Sequence, residues 1–446
     1  MEEPTEPVRV ADETFDASEL REAWTVLSED DRFEGFRLLP RVEAEDFFMA
    51  LSALDQAALL TRLPADERRS WVRLLPPDDV ADLVQEVPIE ERDSILALLD
   101  AVTRKEVTAL LLYAEDEAGG LMSPRYARVR PEMTADEAIR YLRRQVREHP
   151  ETIYYAYALD AEQRPIGVLS LRELFMAPPD SLVADVMQSD LVLASDDLDQ
   201  EALSQLFRDS DLVAIPVVDS DGKMKGIVTA DDILDVVEEE ATEDMQKYGG
   251  VEALDAPYLN VGFFSMIRKR AGWLVVLFVG EMLTATAMGY FEHEISRAVV
   301  LALFIPLIIS SGGNTGSQAS TLVIRAMALG EVRLADWWRV MRREIAAGLT
   351  LGTILGAIGF VRILMWPSRD TLYGEHYLLI AFTVSASLVG VVLWGALSGS
   401  MLPLVLRRVG FDPASASAPF VATLVDVSGI VIYFTVASLL LRGTLL

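Results

Sequence analysis

The sequence predicts a multidomain protein with an all-α helical-repeat domain, a doubled α/β module, a connecting helix and a five-helix α transmembrane domain. Three observations predict it: a 12-residue period near the amino terminus, a second repeat in which 167–174 aligns with 226–233, and five long apolar runs after residue 270. The 446 residues allow about three domains. We expect 1–122 to form the helical domain, 123–240 the doubled module, 237–262 the connecting helix and 263–446 the membrane domain.

Charge is distributed very unevenly along the chain. Of the 39 basic and 69 acidic side chains, 25 and 59 lie before residue 257, so this part carries a net charge of −34 and the rest is nearly neutral. Such an acidic surface excludes nucleic acid as a partner, because phosphates require clustered Lys and Arg. The chain has no cysteine and only three histidines, so any metal ligands would be oxygens, which favours hard cations such as Mg²⁺.

The 12-residue period marks a series of short helices. Proline suits the first helical turn and Ser or Asp suits a cap, so each mark predicts a helix start. Because short helices cannot bury a core alone, we expect them to stack into a superhelix with an acidic surface, which serves either solubility or cation sensing. The marks are Pro40, Ser52, Pro64, Pro76, Pro88 and Asp100.

The second repeat pairs residues 167–174 with 226–233, each preceded by a strand and a turn. This doubled unit resembles a tandem pair of CBS domains. The resemblance implies a site for ATP or another adenine nucleotide, with Asp232 of a G-x-x-T-x-x-D pattern as the candidate ribose contact and Glu173 at the equivalent place in the first copy. A structural or cation-responsive dimerisation module is the alternative.

Five apolar runs are long enough to cross a bilayer, at roughly 271–290, 298–327, 343–365, 377–406 and 418–441. We find no signal peptide ahead of them. Basic residues cluster in the loops of one side, so the positive-inside rule predicts a cytoplasmic amino terminus and a carboxyl terminus outside.

Two features of the membrane segments suggest an ion path. Charges at membrane depth cost at least about 2.5 kcal/mol, so Asp426 in the last span and Glu281 in the first should face a cavity or a partner. Pro306 and three following glycines should break the second span and expose its backbone to a water-filled path. Close helix packing through these glycines is the alternative.

Three motifs resemble the MgtE family of magnesium channels: AEDEAGGLMSP at 114–124, GGNTGSQAS at 312–320 and PFVATLVDVSG at 419–429. The resemblance covers essentially the whole chain. It implies a homodimer in the bacterial plasma (inner) membrane, with one pore between the subunits lined by the second and fifth membrane helices. Asp426 matches the carboxylate that binds the hydrated ion, and Ala422 a position whose backbone lies near it. Further pore-lining residues would be Gly312, Gly313, Asn314 and Thr315.

The resemblance also implies regulatory Mg²⁺ sites on the cytoplasmic side. In the helical domain this chain departs from the family, because Ser94 replaces an expected acid. A second departure lies in the last membrane helix, where Ala418 stands in place of the Asn of some members. A solvated linker is the alternative for the acidic stretch after the second CBS copy. The matching acids are Asp232, Asp235, Glu240, Glu243 and Asp244, with Glu90 and Asp46 in the helical domain.

These features predict a passive magnesium channel rather than an enzyme, which mediates Mg²⁺ uptake and is closed by cytoplasmic Mg²⁺. Two other functions remain open. One is a divalent-cation carrier coupled to Na⁺ or H⁺, with Glu281 as its exchange site. The other is a membrane-anchored nucleotide sensor that transports nothing, although it leaves Asp426 unexplained.

Overall fold

The computed structural model describes residues 16–148, 154–254, 258–259, 261–367 and 369–445. The chain divides into two compact units, with the boundary between Glu238 and Glu239. The first unit contains the helical repeat and the doubled α/β module, and the second contains the long apolar helices. The predicted fold class is confirmed.

Short helices form the amino-terminal part of the first unit, and their caps explain the 12-residue period. All six phase marks are the N-cap residues of α3 to α8. Ser52 and Asp100 accept hydrogen bonds from backbone N–H groups of the first turn, whereas a proline cap needs no N–H of its own because it lies outside the helix. The four prolines thus stand one place before the first helical turn, in which we expected them. The helices are α1 (Ala17–Ala23), α2 (Glu29–Leu38), α3 (Arg41–Met49), α4 (Ala53–Arg62), α5 (Ala65–Val72), α6 (Pro77–Glu86), α7 (Ile89–Leu96) and α8 (Ala101–Leu110).

The core of the helical repeat continues into the second copy of the α/β module. Apolar pairs seven and eight residues after the caps are buried, for example Phe47 with Phe48 and Leu83 with Val84. The same cluster includes Val228 and other residues of the second copy. The helical domain and the second CBS copy therefore share one hydrophobic core.

The doubled module consists of two three-stranded sheets with the same topology. In each sheet the first strand is parallel to the central strand, and the central and third strands form an antiparallel hairpin. The hairpin turns place Gln163 and Gly222, which are equivalent positions of the two copies, at positive φ. The repeat predicted from the sequence is confirmed. Its elements are α9 (Ala118–Leu121), β1 (Ala127–Val129), α10 (Ala135–Glu148), β2 (Tyr155–Leu159), β3 (Pro165–Ser170), α11 (Leu171–Met176), α12 (Val183–Val186), β4 (Ala194–Ser195), α13 (Gln200–Ser210), β5 (Ala214–Val218), β6 (Met224–Thr229) and α14 (Ala230–Tyr248).

The connecting helix is shorter at its carboxyl end than the predicted 237–262. Helix α14 ends at Tyr248, and residues 251–254 are not helical. Gly250 adopts φ +73°, and the N–H of Val251 donates to the carbonyl of Gln246, which closes the helix in the manner of a glycine C-cap. The Gly249-Gly250 pair therefore ends α14, the helix that contains the acidic stretch.

In the described part of the second unit, five helices are long and apolar enough to cross a membrane. These are α15 (Phe263–Tyr290), α17 (Ile305–Ala328), α18 (Trp337–Leu364), α20 (Tyr377–Arg408) and α21 (Ala418–Leu441). The shorter helices are α16 (Glu292–Arg297) and α19 (Arg369–Leu372), with 3₁₀ turns at Val299–Phe304, Leu334–Asp336 and Pro413–Ser415. The five predicted spans are confirmed.

The second span is not broken, so the prediction of a break at Pro306 and the glycines is wrong. Helix α17 is continuous from Ile305 to Ala328, because Pro306 lies in its first turn, where no N–H is required. The glycines serve close packing instead. A Cβ at Gly312 would lie 2.5 Å from Val391 Cγ1 of α20 and 2.7 Å from Val425 Cγ1 of α21.

Candidate functional site

Asp426 lies on α21 beside the backbone of α17. Its side chain is half-buried, and a Cβ at Gly313 would lie 3.6 Å from Asp426 Oδ1 and 3.5 Å from Ala422 Cβ. No salt bridge to Asp426 is found among the residues that the structure describes. The absence of a side chain at Gly313 therefore leaves space next to a carboxylate at membrane depth.

The structure separates the other candidate pore residues. Gly312 and Thr315 are buried, and Thr315 Oγ1 donates to the carbonyl of Ser311 (2.8 Å). Asn314 is exposed, and its Nδ2 lies 3.4 Å from Ser310 Oγ. Of these positions, Gly313 is the glycine whose Cβ would lie in contact distance of both Asp426 and Ala422.

The carboxyl end of α14 is held by the ends of the membrane helices. The Tyr248 hydroxyl donates to the carbonyl of Ser317 in α17 (2.9 Å) and contacts Thr321 Oγ1. Lys247 pairs with Glu243 and with Asp412 (2.8 Å), which precedes α21. Burial opposes the charge of Lys247, but its bonds to Asp412 and Glu243 outweigh burial and hold its pKa above the usual range.

Small polar contacts tie α17 to the start of α21. Ser317 Oγ donates to the carbonyl of Ala418 (3.3 Å), and Ser320 Oγ donates to the carbonyl of Ala416 (2.9 Å). Ala418 lies in the first turn of α21, eight residues before Asp426, so no side-chain amide is present at that level. Ser317 thus contacts both helices: its carbonyl accepts from Tyr248 of α14, and its hydroxyl donates to Ala418 of α21.

In the first unit, Asp82 of α6 faces the second CBS copy. Its pKa is raised to about 7, mainly by burial and further by the charges of Asp79 and Asp232. The pKa of Asp232 is also raised, again mainly by burial. Close by, Ser123 Oγ lies 3.4 Å from Asp78 Oδ1. Helix α6 therefore brings acids of the helical domain to the start of α14.

Asp232 also closes the start of α14. Its Oδ2 accepts hydrogen bonds from the N–H (3.1 Å) and hydroxyl (2.6 Å) of Thr229. In the first copy, Glu173 and Ser170 form the equivalent capping box. Asp232 and Glu173 thus cap their helices in the same way in the two copies. Oδ2 of Asp232 is already hydrogen-bonded to Thr229.

The remaining predicted acids are more dispersed. Burial and the charges of Glu238 and Asp231 raise the pKa of Asp235. Glu90 and Asp46 are exposed on α7 and α3. Glu240 and Asp244 lie on α14 beyond the boundary between the units. Among the described residues, no group of three or more His, Asp or Glu side chains converges as a metal site.

The sequence interpretation missed Asp82, although the 12-residue period contained the signal. Asp78 and Asp82 occupy the same two places in their repeat as Glu90 and Ser94 occupy one repeat later. Asp82 is thus an acid at the place in its repeat that Ser94 occupies one repeat later. Lys247 and Asp412 were also missed, because they lie far apart in the chain and their pairing carries no local pattern.

Three family models match successive parts of the chain. One family model, described as a divalent cation transporter (MgtE), matches residues 305–436. The model of the MgtE intracellular N domain matches 15–116, and the CBS domain model matches 117–180 and 183–239.

Curated relatives resemble most of the chain. It is 44% identical over 346 residues to the magnesium transporter MgtE of Thermus thermophilus, covering 78% of this chain and 75% of that protein. It is 33% identical over 337 residues to the magnesium transporter MgtE of Enterococcus faecalis, covering 76% and 72%. A solved structure of the cytosolic domain of the Mg²⁺ channel MgtE in complex with ATP is 42% identical, with a TM-score of 0.46, covering 50% of this chain and 90% of that one.

An acidic helical repeat, a CBS pair and five apolar helices, together with the match to the divalent cation transporter model, define the class as a membrane cation transporter. The identity to curated relatives makes this assignment more specific. The chain belongs to the MgtE family of magnesium transporters.

Proposed function

We propose that this chain forms a Mg²⁺ channel for magnesium uptake, in which Asp426 is the carboxylate of the ion path. The observation that supports this most directly is the position of Asp426 beside Gly313, with space next to the carboxylate and no basic partner described. A charge at this depth is unfavourable in lipid, so a cation in a hydrated path is the partner that its position requires.

The cargo fits the chemistry of one carboxylate and several backbone groups. Mg²⁺ releases its water shell reluctantly, so a site that accepts hydrogen bonds from bound water suits it better than a cage of direct ligands. In a homodimer, Asp426 of each subunit would face the same path and together balance the two positive charges. The carbonyls near Ala422 and Gly313 would contact the same water shell.

The distribution of basic residues supports an orientation. Arg268 to Arg270 lie in the first turns of α15, the first span. Arg342, Arg343, Arg407 and Arg408 lie near the ends of later spans on the same side. By the positive-inside rule this side is cytoplasmic, which places the amino terminus in the cytoplasm and the carboxyl terminus outside a bacterial plasma membrane.

Closure by cytoplasmic Mg²⁺ is the second part of the proposal. The ionised forms of Asp82 and Asp232 repel each other across the contact between the helical domain and the second CBS copy. A divalent cation between them would neutralise this repulsion and stabilise the contact. Helix α14 starts at this contact and ends at Lys247 and Tyr248, which hold the membrane helices, so it is the element that would move with Mg²⁺ binding.

An adenine nucleotide is a further ligand that we propose for the CBS pair. The polar group that supports it is the Thr229–Asp232 pair at the start of α14. Asp232→Asn should weaken ATP binding by the full-length protein in equilibrium dialysis. Because Asp232 also faces Asp82, the matched variant Asp82→Asn should leave ATP binding unchanged, and equal losses in both would assign the effect to the acid contact instead.

The pore assignment is tested by Mg²⁺ flux into liposomes that contain the full-length protein. Asp426→Asn should remove flux and leave the oligomer intact, whereas Glu331→Gln, in an exposed turn after α17, should retain it. Undiminished flux through Asp426→Asn would show that the path lies elsewhere. A carrier coupled to Na⁺ or H⁺ predicts that flux requires those gradients; flux that follows membrane potential without them supports the channel.

A further inference from the structure

We infer that Glu281 is a second acidic residue of the ion path, which raises the apparent affinity for the hydrated divalent cation without binding it directly. This inference rests on the proposed function and adds a residue to it. Glu281 lies eighteen residues after the start of α15, within a helix long and apolar enough to span a membrane. It is therefore a charge at membrane depth.

One stripe of α15 packs against α21. Trp273 Nε1 donates to Ser417 Oγ (3.1 Å), and a Cβ at Gly280 would lie 3.0 Å from Thr423 Cγ2. The two contacts follow each other in the same direction along both helices. The less exposed residues of α15 have the spacing of one helical face: Trp273, Leu277, Gly280, Thr284 and Ala287.

Glu281 lies at the edge of this stripe and at the level of Asp426. At about 100° per residue, it is displaced about 80° from the centre of the stripe. It follows Gly280 by one residue, whereas Asp426 follows Thr423 by three, so the two positions differ by about 3 Å along the helix axes.

The charge of Glu281 favours a hydrated path over lipid. Its side chain is exposed, and no ion pair to it is found among the described residues. A carboxylate facing acyl chains is unfavourable, and a second carboxylate at the same level adds repulsion. A divalent cation relieves both, because it brings two positive charges and keeps a water shell between itself and the acid.

The expected effect is on concentration dependence. A carboxylate about 10 Å from a divalent cation in water raises the local ion concentration about fourfold. Glu281→Gln should therefore raise the Mg²⁺ concentration for half-maximal flux about fourfold and change the maximal flux little. A residue with only a structural role would lower maximal flux or the amount of folded oligomer instead.

The experiment measures Mg²⁺ entry into liposomes containing the full-length protein, at fixed membrane potential and a range of external Mg²⁺ concentrations. Glu281→Asp keeps the charge and should restore wild-type half-saturation to within about twofold. Glu294→Gln removes an acid of the short helix α16 and should behave as wild type. Added monovalent salt should reduce the difference between Glu281→Gln and wild type. Glu281→Ala gives the same comparison where the Gln variant does not fold.

The outcomes separate this inference from the proposed function. Wild-type half-saturation in Glu281→Gln, with flux lost in Asp426→Asn, would overturn the role of Glu281 and leave the path intact. Full flux in Asp426→Asn would instead refute the path itself. A defect in Glu281→Gln that appears only under a Na⁺ or pH gradient would assign Glu281 to coupled exchange and would also overturn the inference.

Discussion

Replacing Asp82 by Asn should hold the helical domain against the second CBS copy without Mg²⁺. Burial and the charges of Asp79 and Asp232 raise the pKa of Asp82 to about 7. In its ionised form, Asp82 therefore opposes the contact that its own helix makes. Asn has nearly the same shape and no charge, so the substitution removes the repulsion and retains the packing.

The structure gives the size and the pH dependence of this effect. A change in pKa from 3.8 to about 7 corresponds to about 4 kcal/mol against the ionised form. In the open state the Asp82 carboxyl loses its proton near pH 4. In the closed state it loses its proton only near pH 7. The closed state binds more protons between these values, so its stability falls as pH rises from about 4 to about 7. Asp82→Asn should gain about 4 kcal/mol at pH 8 and about 2 kcal/mol at pH 5.

The absence of cysteine from the chain provides the assay. Ser123 is 8% exposed and lies beside Asp78, so Ser123→Cys places a single thiol at this contact. At pH 8 without Mg²⁺, Asp82→Asn should slow labelling of this thiol up to about a thousandfold, which is the equivalent of about 4 kcal/mol. The control Asp66→Asn, an exposed acid of α5, should label at the rate of the parent.

Magnesium supplies the second comparison. Saturating Mg²⁺ should slow labelling of the parent at pH 8 and should have little further effect in Asp82→Asn. Equal labelling of Asp82→Asn and Asp66→Asn without Mg²⁺ would refute the argument, because it would show that the Asp82 charge does not oppose the contact.

Further predictions concern the membrane unit. Gly312→Ala should lower stability by about 1–3 kcal/mol, because its methyl group would meet α20 at 2.5 Å. Gly313→Ala should fold normally and reduce flux, because its methyl group would stand 3.6 Å from Asp426, the carboxylate of the proposed path. Thermal unfolding and liposome flux measure the two effects. Ala418→Asn should strengthen ion retention and change block by Ca²⁺ relative to Mg²⁺; unchanged block would place residue 418 away from the ion. Tyr248→Phe removes the bond to Ser317, so it should retain flux but require more cytoplasmic Mg²⁺ for closure, and an unchanged closing concentration would exclude this contact from gating.

Features that depend on local chemistry were predictable from the sequence. The helix starts at Pro40, Ser52 and Asp100 follow from N-cap preferences within a few residues. The five spans follow from length and hydropathy, and the CBS repeat from the match of 167–174 to 226–233. Each signal is contained in short stretches of chain, so no knowledge of distant partners was needed.

Features that depend on distant partners were not predictable in the same way. From the sequence we predicted that the glycines of the second span break it, with close packing as the alternative. The proximity of Val391 and Val425 shows that they serve close packing. The raised pKa of Asp82 results from burial of α6 in the shared core and from the charge of Asp232 in a different domain. Neither is visible in the sequence around residue 82. Truncating the helical domain would expose that core, so single charge substitutions test regulation more cleanly than deletions.

The dispersed arrangement of the acids has a consequence for regulation. Among the described residues, no three acids converge on one point, so each Mg²⁺ would be held by one or two carboxylates, largely through its water shell. Such sites are individually weak, and a single weak site gives a shallow response to concentration. Several sites that all stabilise one position of α14 give a steeper response, because each bound ion favours binding of the next through the same helix. In the proposed regulation, several moderately binding acids would therefore act together through α14.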